Sequence, residues 1–363
     1  MRQPLNALAH AIDRAEDACL RRPHPNGYNP TYPFDHHHEA PMLALPPAVV
    51  DHLAIFDVSR DDSLRIAKYT SRFRAPNTLK RWGSTWRTVQ LYCESRGYQA
   101  FPMTWEVAAA FATAQADSGY AYATIAGNCY GISALHRIAE LPDPIADRRF
   151  QRVLQGIART LGTDPTRQKV ALELEQLSAM YDLTHVSPSL QHTQDWTVLA
   201  VSFFGAMRRS ETVALDVADV AIRGDVCTLN IFRSKTDQTR SREVLLPRRG
   251  DRLCPVSALE AWVKTLSGPG PLFRTIYCDH LRNQRMADRT VCRIVQRYCA
   301  ALGLDPKEYG GHSLRAGYVT DAIDSGVPDL AVALHTRHRQ FNSLLRYYRP
   351  KRLQRNLTEA FMK

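Results

Sequence analysis

Residues 196–211 read WTVLAVSFFGAMRRSE. Trp196, Leu199, Ala200, Phe203, Phe204 and Met207 recur at helical spacing, which predicts a helix with a wide apolar face. That helix runs directly into Arg208 and Arg209. Ser210 is placed to cap a following helix, with Glu211 in its first turn. An arginine fixed at the end of a rigid buried helix suits bidentate recognition of a phosphate. The same residues also read as an ordinary structural Arg–Glu pair.

Downstream of this stretch, Gly224-Asp225 reads as a turn. Cys227, Leu229 and Ile231 then alternate, and Glu243 to Leu246 makes a second short strand. Helical spacing returns over 255–266, 286–302, 312–325, 329–336 and 342–348. From about residue 171 the chain is therefore mostly α with a small antiparallel sheet inserted, an α+β arrangement. Upstream, residues 60–160 carry four apolar stripes. Asn77 or Thr78 can cap a helix bearing Leu79, Trp82, Trp86, Val89 and Cys93, and Gly97 can end it. Trp105 to Ala116 is a second helix. Ile125, Cys129, Ile132, Leu135 and Ala139 mark a third, and Phe150, Val153, Leu154 and Ile157 a fourth. Four such stripes can close around one core. Residues 160–170 (TLGTDPTRQKV) read as a basic linker. Residues 22–47 are rich in Pro and His and read as an irregular arm. Before them, Leu5, Leu8, Ala9 and Ile12 fit a short amphipathic helix that packs locally or docks on a partner subunit.

The 363 residues suit two domains, and 44% hydrophobic content suits packed cores. Lys and Arg number 47 against 36 Asp and Glu, a net charge of +11. Such a balance fits a polyanionic partner, nucleic acid first among them, or simply keeps a protein soluble. Arg72, Arg74, Lys80, Arg81 and Arg87 surround the first helix of the bundle. Arg148, Arg152 and Arg159 lie near one face of the last. These positions suit a phosphate backbone, or else form a solvated face. No stretch approaches the ~18 apolar residues of a membrane span, and residues 1–22 lack the apolar core of a signal peptide. The eight cysteines contain no C-x-x-C pair. A zinc knuckle or disulfide framework is not expected, and a reducing cytoplasm fits. An aromatic RNA-recognition box is missing too.

Three further segments carry candidate chemistry. Phe232-Arg233-Ser234-Lys235-Thr236-Asp237 lies between the two strands, where Lys235 can reach into a groove and donate a proton to a leaving oxygen. Gly310-Gly311-His312-Ser313-Leu314-Arg315 sets His312 and Arg315 three apart, on one helical face. Such a pair suits an anionic site, and a satisfied core histidine is the other reading. Finally, residues 335–350 run HTRHRQFNSLLRYYRP. Asn342 or Ser343 can cap a short helix bearing Tyr347 and Tyr348, which Pro350 stops.

Together the four segments resemble the catalytic domain of the tyrosine recombinase family, which includes phage integrases, Xer-type resolvases and Cre. The family pattern is an Arg in an R-x-S-E-like box, a hairpin Lys, an H-x-x-R box, a His or Trp, and a Tyr nine residues later. The matching positions are Arg208, Lys235, His312, Arg315, His338 and Tyr347, in order and at the expected spacing. Cys254-Pro255-Val256 and a helix with Trp262 are similar to the family's connection after the sheet. The resemblance implies residues 60–162 as a helical core-binding, SAM-like DNA-binding domain and 163–363 as a catalytic domain with a tail, while residues 1–59 read as an N-terminal extension and irregular arm that the resemblance does not cover. One departure stands out: where the family often has Leu-Gly-His, this chain has Thr336-Arg337-His338. Arg337 in place of a glycine puts the local backbone in question.

The resemblance implies phosphoryl transfer through a 3′-phosphotyrosine on Tyr347, with Tyr348 as a packing residue. Arg208 and Arg315 would stabilise the charged transition state, with His312 as base, Lys235 as acid, and His338 on a phosphate oxygen. Glu211 would orient His312 or Arg208. Lys80, Arg81, Arg87, Arg148, Arg152 and Arg159 would contact DNA. No cofactor or metal is expected, because two guanidiniums already supply the positive charge. The implied partners are double-stranded DNA at specific sites, further copies of the chain in a tetramer, and accessory proteins. The implied setting is the cytoplasm and nucleoid of a prokaryote or of a phage or plasmid host. The alternatives are a type IB topoisomerase-like relaxing enzyme, a catalytically silent DNA-binding accessory factor, and a basic RNA-binding protein.

Overall fold

The computed structural model describes residues 45–49, 73–163, 169–234 and 237–337, with isolated positions between 59 and 69. The chain divides into two compact units, Met1–Thr166 and Arg167–Lys363.

The first unit holds α1 (Pro76–Glu94), α2 (Trp105–Asp117), α3 (Tyr122–Ile138) and α4 (Arg148–Leu161). α1 packs on α3, and α2 on α4. The apolar stripes meet as their spacing requires: Leu79, Trp82, Trp86, Val89 and Cys93 share a core with Phe111, Ile125, Cys129, Leu135, Phe150 and Ile157. Leu45 and Val49 are buried in this core as well. The sequence had placed Leu45 in the irregular arm and both residues outside the bundle. α1 begins earlier than Asn77 or Thr78 would give. Its N-cap is Ala75, with Pro76 at the first position, where a fixed φ and a missing N–H cost nothing. α2 takes Thr104 as its cap, through a side-chain bond to the Val107 N–H.

The second unit is built around α6. Its helices are α5 (Leu174–His185), α6 (Leu190–Phe204), α7 (Arg209–Ala214), α8 (Pro255–Val263), α9 (Asp288–Ala301), α10 (Gly311–Asp324) and α11 (Asp329–Thr336). α6 is buried without a break from Gln194 to Phe203, and α5, α8 and α10 all pack against it. The strands β1 (Val220–Arg223), β2 (Val226–Ser234) and β3 (Asp237–Pro247) form one antiparallel sheet in that order. Cys227 opposes Leu246 and Leu229 opposes Val244, all four buried. The turn at Gly224-Asp225 joins β1 to β2, with Gly224 at φ 57°.

Several expectations need correction. Met207 is not on α6, because the helix ends at Phe204 with Gly205 as its cap. β3 begins at Asp237, six residues before the expected strand. A second hairpin, β4 (Arg274–Tyr277) and β5 (His280–Arg285), was not foreseen. Its turn residues Cys278 and Asp279 take positive φ values of 48° and 58° without a glycine, so no turn signal marks them. Residues 160 and 161 still belong to α4. Lys169 is already engaged with the second unit through the Lys307 carbonyl, and Val170 donates to Glu308 O at 3.0 Å. Among the described residues no helix is long and apolar enough to cross a membrane.

The segment after the linker lies directly on α10. Leu172 N–H donates to Ser313 O at 3.0 Å, and a Cβ at Gly317 would sit 1.6 Å from Leu172 O. At Gly156, within α4, an added Cβ would meet nothing within 4 Å. Gly317→Ala is therefore expected to destabilise by about 1–3 kcal/mol or more. Gly156→Ala, by relieving helix backbone entropy, is expected to stabilise by about 0.5–1 kcal/mol. Urea unfolding of the two variants checks both signs.

Candidate active site

The turn after α6 determines where Arg208 stands. Gly205 caps the helix, and Ala206 then takes φ 44°, a conformation that disfavours L-residues. Ala206 and Met207 remain fully buried. A Cβ on Gly205 would lie 2.8 Å from Val201 O, so only glycine fits the tight reversal. Arg208 becomes the N-cap of α7. Ser210, expected in that role, lies inside the helix, because Glu211 at the third position already caps the first turn. Glu211 Oε2 accepts the Arg208 backbone N–H at 2.9 Å, and Oε1 accepts from Arg208 Nη1 at 2.5 Å. Both ends of Arg208 are thus held by one carboxylate.

Two buried arginines close on the same turn. Arg315, on α10 and 1% exposed, donates through Nη1 to Ala206 O at 2.6 Å and through Nη2 to Thr336 O. Arg337, directly after α11, donates from Nη1 to Gly205 O at 3.2 Å and to His335 O at 2.9 Å. Its Nη2 reaches Ala206 O at 3.2 Å and Glu211 Oε2 at 3.0 Å. The Glu211 and Arg337 side chains are 1% and 3% exposed, against 18% for Arg208. Burial pushes the Glu211 carboxyl up, but Arg337, the Arg208 N–H and the Arg208 guanidinium outweigh it and hold it below the usual glutamate range. His335 Nε2 lies 2.8 Å from Phe204 O, and burial draws its imidazole below the usual histidine value.

The question raised by Arg337 is resolved by its backbone. It sits at φ 60°, ψ 39°, as the left-handed C-cap of α11. Glycine adopts this conformation without strain, whereas an L-residue loses about 1–2 kcal/mol there. The ion pair and carbonyl contacts of its side chain act against that cost. Sequence reasoning named Arg337 as a departure and missed its place in the site. The available signal was a long cationic residue where a short flexible one was expected.

The remaining candidates distribute as follows. His312 and Arg315 share α10, but His312 is exposed while Arg315 is buried. This excludes a satisfied core histidine at 312. Gly311 permits a close approach, since its Cβ would lie 3.2 Å from Arg209 Cβ. Glu211 holds Arg208 and Arg337 rather than His312. Lys235 is one of the two residues joining β2 to β3, and with His338, Tyr347 and Tyr348 it lies outside the described residues. In the first unit Lys80, Arg81 and Arg87 are exposed on α1, and Arg148, Arg152 and Arg159 are exposed on α4. Arg149 is committed differently: it pairs with Asp147 at 2.8 Å and stacks over Trp105.

Comparison with known proteins identifies the family. The model of the phage integrase family matches residues 171–354, about half of the chain, and spans all six motif positions. The chain belongs to the phage integrase family. An integrase/recombinase XerD homolog of Selenomonas ruminantium is 29% identical over 292 residues, covering 78% of this chain and 85% of that protein. This integrase-family chain is a site-specific recombinase, an enzyme that cleaves and joins DNA strands. Among solved structures, the XerH site-specific recombinase bound to palindromic difH substrate superposes with a TM-score of 0.60 at 14% identity, over 99% of this chain and 97% of that one. The Tn1549 transposon integrase with transposon right end DNA gives 0.55 at 15% identity, over 87% and 98%. A lambda integrase dimer on a COC′ core site gives 0.54 at 17%, over 78% and 75%. At such identities the likeness is one of fold.

The buried carboxylate has a consequence for stability. The folded-state pKa of Glu211 lies below its ordinary value of 4.5. Its contribution is therefore present above that value and lost as pH falls through the folded one. Glu211→Gln leaves two arginines without their counter-charge and is expected to cost about 3–5 kcal/mol at pH 7. Urea midpoints between pH 7 and pH 3 should also fall less steeply for the variant than for the parent chain.

Proposed function

We propose that this recombinase breaks one DNA strand at a time by attack of the Tyr347 hydroxyl on a specific phosphate. The new bond joins the tyrosine oxygen to phosphorus, the bond to the 5′ oxygen breaks, and a 3′-phosphotyrosine remains. His312 takes the tyrosine proton, and Lys235 supplies a proton to the departing 5′ oxygen. Arg208 and Arg315 face the non-bridging oxygens, and His338 donates to one of them. Attack by the 5′-hydroxyl of a partner strand reverses the step. The ester linkage is conserved throughout, so rejoining consumes no nucleotide triphosphate.

The observation that carries this reading is the meeting of Arg208 and Arg315. They come from boxes over a hundred residues apart, yet converge on the 205–208 turn. The exposure of Lys80, Arg81, Arg87, Arg148, Arg152 and Arg159 supports reading the first unit, residues 60–162 of the motif reading, as the DNA-gripping domain. The XerH, Tn1549 and lambda enzymes are described on DNA, and the partner assigned here is likewise duplex DNA. Exchange between two duplexes needs four cleaving tyrosines, which makes a tetramer the working form. The C-terminal tail bridges neighbouring copies, and accessory proteins set direction. The site of action is the nucleoid of a prokaryotic cytoplasm.

The test is covalent capture. Nicked duplexes from a random-sequence pool are incubated with the protein in a chelator, and the products are run on a denaturing gel. The expected result is a covalent protein–DNA band that disappears in Tyr347→Phe and persists in Tyr348→Phe. An undiminished band in Tyr347→Phe moves the nucleophile elsewhere, and failure of the wild type to capture any duplex overturns the assignment. Arg208→Ala is expected to slow capture by roughly 100–1000-fold, as for other directly acting donors.

A further inference from the structure

Glu211 sits between two arginines, and only one of them belongs to the motif read from the sequence. Its Oε2 is shared: Arg208 N–H approaches at 2.9 Å and Arg337 Nη2 at 3.0 Å. Its Oε1 takes the Arg208 guanidinium at 2.5 Å. Arg337 is itself fixed by three carbonyls, those of Gly205, Ala206 and His335. The turn, the carboxylate and the arginine it presents are therefore referenced to one buried guanidinium.

We propose that Arg337 is a positioning residue for strand cleavage, holding Glu211 in place and, through it, Arg208 against the scissile phosphate. The inference rests on the reading of Arg208 as a phosphate-binding catalytic residue. Two physical effects support it. The first is orientation. With Arg337 present, Glu211 Oε2 is pinned by both the Arg208 N–H and Arg337, so Oε1 is held in a fixed place for the Arg208 guanidinium. The second is charge. A lone Arg208–Glu211 pair is neutral, so Glu211 would cancel much of the field that Arg208 directs at a phosphate. The trio of Arg208, Glu211 and Arg337 carries one net positive charge in a buried setting, where fields are weakly screened. A glycine at 337 would suit the backbone and supply neither effect.

The surroundings add a pH signature. The groups facing Glu211 are Arg208 and Arg337, while Arg242 of β3 and His335 of α11 bear on Arg337. Burial favours the protonated Glu211 carboxyl, and Arg337 is the leading group that opposes it. Removing Arg337 leaves burial less opposed. A protonated Glu211 cannot accept both bonds from Arg208, so activity would fail at a higher pH.

The experiment measures single-turnover cleavage of a nicked duplex, selected from a random pool by covalent capture on the wild-type protein. Arg337→Gly, Arg337→Lys and Arg208→Ala are compared, with thermal melting and DNA affinity recorded for each. Arg337→Gly is expected to melt cooperatively and to bind the duplex with unchanged affinity. Its cleavage rate should fall roughly 10–100-fold, the range seen when the group behind a metal ligand is removed. The acid limb of its rate–pH profile should move to higher pH, and Arg337→Lys should recover part of the rate. An unchanged rate and profile in Arg337→Gly, beside a disabled Arg208→Ala, refutes the proposal alone. Full activity in Arg208→Ala refutes the reading beneath it and the proposal together. Parallel loss of melting, binding and rate in both Arg337 variants assigns the residue to stability and also overturns the proposal.

Discussion

The carbonyl of Ala206 accepts hydrogen bonds from two buried guanidiniums, Arg315 at 2.6 Å and Arg337 at 3.2 Å. The placement of everything else in the site follows from this junction. A buried carbonyl must be satisfied, and a buried guanidinium must be both hydrogen-bonded and neutralised in part. The turn at 205–207 has left the α6 hydrogen-bond ladder, so its oxygens need outside donors. The arginines, withdrawn from water, need acceptors. Each meets most of the other's deficit, Arg337 Nε alone among these donors being buried without a partner, and the outcome is a platform at the end of the deeply buried α6. Strain at Ala206 and at Arg337 is tolerated because this network over-determines both residues.

The platform accounts for the division of labour among charged residues. Arg315 and Arg337 are nearly inaccessible, Arg208 retains some exposure, and His312 is exposed on the first turn of α10. Arg337 is buried and bonded to carbonyls and to Glu211, Arg315 is buried and bonded to carbonyls, and Arg208 and His312 are the members of the group that keep solvent exposure. Glu211 links the two sets. Its carboxylate caps α7 and neutralises part of the arginine cluster, and it does both only while ionised.

Much of this was legible in the chain. The periodic stripes at Leu79–Cys93 and Phe150–Ile157 gave the bundle helices, since one buried face per helix imposes the 3.6-residue spacing. The alternation at Cys227–Ile231 gave the central strand for the same reason. Arg208 stood out because charged residues interrupt an apolar run there, and His312 and Arg315 because a spacing of three sets both on one helical face. What stayed hidden depended on long-range partners. β1 and the β4–β5 hairpin are short and half-exposed, and their pairing rests on backbone geometry at residues such as Cys278 and Asp279. The burial of Leu45 and Val49 is set by a core whose buried residues begin at Leu79, thirty or more residues downstream. Arg337 showed itself as an irregularity, but its partner Glu211 lies 126 residues away, and no local pattern connects them.

Beside the Glu211 carboxylate, the contacts that Arg315 and Arg337 make around the 205–208 turn share one kind of acceptor: main-chain oxygen. Arg315 binds the carbonyls of residues 206 and 336, and Arg337 those of 205, 206 and 335. A carbonyl is supplied by every amino acid, so substitutions at these acceptor positions leave the bonds in place as long as the backbone path survives. Across a set of related chains such contacts would produce no correlated changes between the residues they join. Pair statistics would register the Glu211–Arg337 salt bridge and pass over the carbonyl clamp that holds it. The mechanical centre of this site is thus written in backbone shape, and coevolution would record only its edge.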